Sequence, residues 1–174
     1  MTLIKSISGI RGTIGGKVGE SLSPIDTVRF TAAYGCWIQN RCQKKSLNVI
    51  VGRDARISGE IIRQLVISTL QALGINVYDL GLSTTPTVGL AVQMQNADGG
   101  IILTASHNPK QWNALKLLNE KGEFINAYDG AEVLAIAEAD DYNFAEVDAL
   151  GKYHYDSTYI QKHIDSVLKL KLVN

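Results

Sequence analysis

From residue 24 onward, short apolar runs alternate with longer stretches whose apolar positions recur at helical spacing. Ser23-Pro24-Ile25-Asp26 places an N-cap serine, a proline at the first helical position and an acid closing the capping box. That predicts a helix through Tyr34 to about Asn40. Leu47 to Val51 is apolar and β-branched, as a strand buried on both faces is, and it ends at Gly52. Ser58 can cap a second helix, whose positions Ile61, Ile62, Leu65, Val66, Thr69, Leu70 and Leu73 follow helical spacing. Gly74 follows where a left-handed C-cap belongs. Ile75 to Leu80 reads as a second strand, Thr85-Pro86 as the opening of a helix to about Asn96, and Gly100 to Thr104 as a third strand. Leu115 to Asn119 and Phe124-Ile125 flank Glu120-Lys121-Gly122-Glu123, a hairpin signal with glycine in the turn. Asn126 with Asp129 caps a helix to about Ala139, and Asp156 or Ser157 caps a last one to about Leu170.

Repeated β-turn-α units imply an α/β layered domain: a mainly parallel, mixed sheet flanked by helices, with an antiparallel edge strand from the hairpin. In such sheets ligands collect at the carboxyl ends of the strands. Three polar clusters fall at such ends: Gly52-Arg53-Asp54, Ser83-Thr84-Thr85 and Ser106-His107-Asn108. The 174 residues suit one domain, or one domain and the start of a linker. The final Lys169-Leu170-Lys171-Leu172-Val173-Asn174 carries no closing turn or cap, and reads as a cut at a linker. The expected division is a domain over 1–155 and, over 156–174, a helix leading into a second domain.

Charge narrows the partners. Lys+Arg 17 balances Asp+Glu 17, so no overall basic field favours nucleic acid. No run of apolar residues approaches the ~18 needed to span a membrane, and the N-terminus lacks the apolar stretch of a signal peptide. Cys36 and Cys42 lie six apart near one helix and point to different faces, and such sparse thiols suggest a reducing cytoplasm. No C-x-x-C or H-x-x-x-H spacing suggests zinc.

Among phosphate and nucleophile motifs, the early glycines 9, 12, 15, 16 and 19 fit neither G-x-G-x-x-G nor a P-loop. Ser106 has Thr104 and Asn108 two residues away rather than the glycines of a hydrolase elbow. Ser106 and His107 are adjacent, an arrangement in which the nucleophile–base bond of a triad is hard to form. What remains is Thr104-Ala105-Ser106-His107-Asn108-Pro109: a hydroxyl, an imidazole and an amide at a strand exit. On residue types alone it reads equally as a loop of turn formers.

That segment resembles the active-serine signature of the α-D-phosphohexomutases, the phosphoglucomutase, phosphomannomutase and phosphoglucosamine mutase family. Other pieces follow in the family's order. Ser8-Gly9-Ile10-Arg11-Gly12 resembles its glycine/arginine loop, Gly52-Arg53-Asp54-Ala55-Arg56 its G-R-D-x-R, and Thr85-Pro86-Thr87 its T-P element. Asn113-Ala114-Leu115-Lys116 resembles its N-G-x-K, with Ala114 where glycine is usual.

The resemblance implies domain I of a phosphohexose mutase. Such an enzyme interconverts hexose 1-phosphate and 6-phosphate through a phosphoserine and a hexose 1,6-bisphosphate. It implies Ser106 as the phosphate carrier and, through its phosphoryl oxygen, a ligand to Mg2+. Arg11, His107 and Lys116 would surround the transferring group, with Asn108 and Asn113 toward substrate. Arg53, Asp54 and Arg56 are expected to form an ion network near the loop, and Asp140-Asp141 a solvated helix end. The family's metal-binding D-G-D-x-D-R, sugar-recognition G-E-x-S-G-H and phosphate-binding R-x-S-G-T segments do not occur in these residues. Glucose, mannose and glucosamine phosphates therefore all stay open, and this piece by itself is expected to be inactive. The alternative is a non-catalytic phosphosugar-binding or regulatory domain on the same fold, which would not need the intact TASHNP and Lys116.

Overall fold

The computed structural model describes residues 1–6 and 9–171. The elements are β1 (Ile4–Ser6), β2 (Gly9–Thr13), α1 (Pro24–Arg41), β3 (Asn48–Arg53), α2 (Gly59–Ala72), β4 (Asn76–Leu82), α3 (Thr85–Met94), β5 (Gly99–Leu103), β6 (Trp112–Leu118), α4 (Ala127–Ala139), β7 (Tyr153–Tyr155) and α5 (Tyr159–Leu168). Over these residues the strands form one sheet in the order β1-β2-β6-β5-β3-β4-β7. Strands β5, β3, β4 and β7 run parallel; β6, β2 and β1 form an antiparallel wing.

Alternation along the strands divides the interior in two. Val49, Val51, Ile101, Leu103, Leu115 and Leu117 face α1, α2 and α4 in the larger core. Ile50, Ile102 and Leu118 face the other way, onto Val88 and Val92 of α3 and Tyr159 of α5. Tyr34 of α1 reaches into the larger core, where its hydroxyl donates to Leu118 O at 2.6 Å and accepts from the Gly100 amide at 2.9 Å. Burial pushes that phenol far above its ordinary range, so it stays protonated.

Local signals behaved unevenly. Ser23 caps α1 in a full box with Asp26, and Asn126 accepts from the Asp129 amide to cap α4. Gly74 has φ +79, the left-handed residue just after α2. Ser58 precedes α2 without capping it, because its backbone is helical rather than extended (φ −74, ψ −10) and its hydroxyl accepts from Asn113. Helix α5 starts at Tyr159, because Asp156 takes the amide and hydroxyl of Thr158 in a turn of its own.

Three strands lie outside the sequence expectation. Two form the N-terminal wing, where a loop was expected, and β7 is too short to show a period. In β2 the glycines hide the strand, yet Gly9 is required: at φ +118, a Cβ there would lie 2.1 Å from Leu115 O of β6. Consequently β6, expected at an edge, lies inside the sheet between β2 and β5. The far arm of its hairpin is a single bridge, Leu118 to Phe124, beyond a turn in which Gly122 has φ +72. Strand β7 pairs with β4, and α5 buries its Tyr159 against α3.

Candidate active site

Parallel strand β5 ends at Leu103, and the chain leaves it through Thr104 to Pro109 before returning as β6. Ser106, exposed at the crest, adopts a left-handed backbone with φ +54. For a residue with a Cβ this costs on the order of 1–3 kcal/mol and needs support from its surroundings. Support is plentiful. The Ser106 amide donates to Thr104 Oγ1 at 3.0 Å, and that hydroxyl donates to Asp54 Oδ2 at 2.7 Å. Asn108 donates to Ala105 O through both its backbone and side-chain amides, each at 3.0 Å.

The loop overhangs a cleft of about 160 Å³ lined by Gly9, Arg11, Ser106, His107, Asn108 and Lys116, among others. Among the described residues no carboxylate lines it. Strand parity explains why Arg11 and Lys116 meet there. Ile10 opposes Leu115 and both enter the larger core, so Arg11, opposite Ala114, and Lys116 emerge on the other face. Lys116 Nζ stands 5.6 Å from the Phe124 ring centroid, a cation–π contact that leaves its hydrogen-bonding capacity for a ligand. His107 Nδ1 lies 3.5 Å from Ser106 Oγ, at the limit of a hydrogen bond.

Five of the six residues proposed from sequence, Arg11, Ser106, His107, Asn108 and Lys116, thus line one cleft. Asn113 does not. It lies three residues before Lys116 on the same strand, which puts it on the opposite face. It is fully buried, donates to Ser58 Oγ at 3.0 Å and accepts the Ala114 amide at 2.8 Å. Its work is to tie β6 to the start of α2. The parity of Leu115 and Leu117 against Lys116 was the signal that could have separated the two.

The ion network forms beside the loop. A register shift between Val51 and Arg53 turns the end of β3. Arg53 pairs with Glu60 at 3.2 Å, and Arg56 with Asp54 at 3.2 Å. The hydrogen bond from Arg63, aided by its charge and that of Arg53, draws Glu60 down to about 2 despite partial desolvation. The Ser83-Thr84-Thr85 cluster goes elsewhere. Thr84 caps α3, and Thr85 borders a separate open hollow of about 570 Å³ with His163 and Phe124. Asp140 is the left-handed C-cap of α4 and pairs with Arg29 at 3.1 Å. No helix among the described residues is long and apolar enough to cross a membrane.

Fold and cleft together define a three-layer α/β/α domain that presents a serine hydroxyl in a cationic pocket at the end of a parallel strand. Residues 3–144 match the family model for phosphoglucomutase/phosphomannomutase, alpha/beta/alpha domain I, and the chain belongs to that family. A protein named "Probable phosphoglucosamine mutase" from Methanosphaera stadtmanae is 34% identical over 98% of this chain and 37% of its own length. A phosphoglucomutase/phosphomannomutase from Thermococcus kodakarensis is 32% identical over 90% of this chain and 34% of its own. The chain therefore spans little more than a third of these curated relatives. A solved phosphoglucomutase/phosphomannomutase family protein from Burkholderia thailandensis superposes with TM-score 0.77 at 23% identity, covering 99% of this chain and 38% of that one, a likeness of fold.

Proposed function

We propose that this chain is the phosphate-carrying domain of a phosphohexose mutase, with Ser106 as the carrier. One observation carries the reading: an exposed serine held in a left-handed backbone above a cleft that gathers Arg11, His107 and Lys116 without a carboxylate. Such a pocket suits a phosphoryl group, whose charge those donors would stabilise as it transfers. A hydroxyl oxygen of a hexose monophosphate attacks the phosphorus of phosphoserine and loses its proton. The bond to Ser106 Oγ breaks, and Oγ keeps the electron pair and takes up a proton. The resulting hexose 1,6-bisphosphate turns over, and the same exchange in reverse returns its other phosphate to Ser106. Lys116, at the cleft wall, would move a proton or hold a phosphoryl oxygen.

Magnesium belongs to this proposal only in part. Among the described residues no group of three His, Cys, Asp or Glu side chains could hold a metal. Asp54, the carboxylate beside the loop, is engaged by Thr104 and Arg56. The chain thus offers the ion a phosphoryl oxygen on Ser106; when bound, magnesium would neutralise charge on the transferring group. The free thiols Cys36 and Cys42 fit a reducing, cytoplasmic setting. The division at 155/156, with the last helix leading to a second domain, belongs to the same proposal, as do the sugar and its bisphosphate as partners.

Peptide mass spectrometry of the intact protein after incubation with glucose 1,6-bisphosphate tests the carrier. Phosphate is expected on the peptide holding Ser106 and nowhere in Ser106→Ala. Phosphate on a different serine, with Ser106 always bare, would overturn the assignment.

A further inference from the structure

We propose that Arg56 is a positioning residue that holds the Ser106 loop in its reactive shape, an inference that rests on Ser106 being the phosphate carrier. The guanidinium has five N–H donors, and each meets one acceptor. Nε donates to Asp54 Oδ2 at 3.2 Å. Nη2 donates to Ser106 O at 2.6 Å and Asn108 O at 2.8 Å. Nη1 donates to Pro109 O at 2.9 Å and Trp112 O at 3.0 Å. One planar group therefore gathers four carbonyls from the crest of the loop to the start of β6.

That census decides between two roles for an arginine beside a phosphoryl site. An arginine meant for phosphate presents free N–H groups to it; Arg56 has none left, and its side chain is only 11% exposed. Its partner completes the grip from the other side. Asp54 accepts the Arg56 amide at 3.0 Å through Oδ1, and through Oδ2 the hydroxyl of Thr104, which in turn receives the Ser106 amide. Ser106 is thus held at its carbonyl by Arg56 and at its amide by Thr104, and both holds converge on Asp54. Those two groups flank the rotation that sets φ +54 and aims Oγ into the cleft. Without them the left-handed backbone would lose what stabilises it.

Lysine supplies the experiment's leverage. It keeps the positive charge but has neither the planar fork nor the reach to four carbonyls. In the intact protein, Arg56→Lys and Arg56→Met should both lower the rate of Ser106 phosphorylation by glucose 1,6-bisphosphate about 100-fold, the scale of an ~1 Å misplacement. KM for the bisphosphate should change little, since Arg56 gives it no contact, and circular dichroism should match the parent. Recovery of the rate in Arg56→Lys but not in Arg56→Met would show that charge matters and overturn the clamp. So would parental rates in both. Thr104→Val removes the hydroxyl that links Ser106 to Asp54 and should slow the same step at least 10-fold; if neither Arg56 variant folds, its rate decides, and a parental value refutes the proposal. A parent that never carries phosphate on Ser106 would instead sink the carrier assignment beneath it.

Discussion

A strand gives each residue one of two directions, and that choice separates chemistry from support here. Lys116 sits between Leu115 and Leu117, which enter the larger core, so it has to emerge toward the cleft. Lys116→Ala in the intact protein should cut mutase turnover about 100-fold or more, as loss of a proton-transfer or phosphate-holding group does, with the fold unchanged. Turnover near the parent's would leave Lys116 as a partner of the Phe124 ring and no more. The cleft was legible through the family resemblance, because the serine loop and its cations occur in that family's order; residue types alone read equally as a loop of turn formers. Asn113 was not, since an amide beside the serine segment has the same letter whether it faces the cleft or the core. Arg56 was legible as part of an ion network; its grip on four loop carbonyls depends on a chain path that brings residues 56 and 106 together.

Among the elements, those marked by local chemistry were readable: the capped helices α1 and α4, the apolar strands β3 and β5, the glycine after α2. The N-terminal wing was hidden, because β2 is made strand-like by its partner β6 and not by its own glycine-rich sequence. Helix α2 is joined to the sheet by charge as well as packing. Its first-turn Glu60 meets Arg63 at 2.5 Å and Arg53 of β3 at 3.2 Å. Because these partners hold its carboxyl near 2 rather than the ordinary 4.5, its contribution is complete above 4.5 and fades as pH falls toward 2. Glu60→Gln should therefore lower the melting temperature at neutral pH, and the gap from the parent should close between pH 4.5 and 2. The side chain is 43% exposed, so solvent screening keeps the loss to within about 1 kcal/mol. Thermal melts of both proteins across that range are the check; a gap that stays constant with pH would detach Glu60 from the network.

As a whole molecule, the chain closes two cores about one sheet, with α1, α2 and α4 on one side and α3 and α5 on the other. That is enough for independent folding. The 174 residues expressed alone should unfold in one cooperative transition, yet show no mutase turnover with magnesium, a hexose 1-phosphate and the bisphosphate. The cleft has cations and the proposed carrier but, among the described residues, no set of metal ligands. A coupled assay against the intact protein measures this, and comparable turnover would place the essential machinery within these residues. The cleft has a further consequence before any sugar arrives. Backbone bonds between β2 and β6 fix Arg11 and Lys116 on one face, so the two side chains share a cleft that, among the described residues, no carboxylate lines. The chain is neutral in total, but this small neighbourhood is not, and small anions from solution gather around it. A phosphate entering the cleft displaces that ion cloud, so its capture is an exchange of anions whose strength declines as the surrounding salt rises.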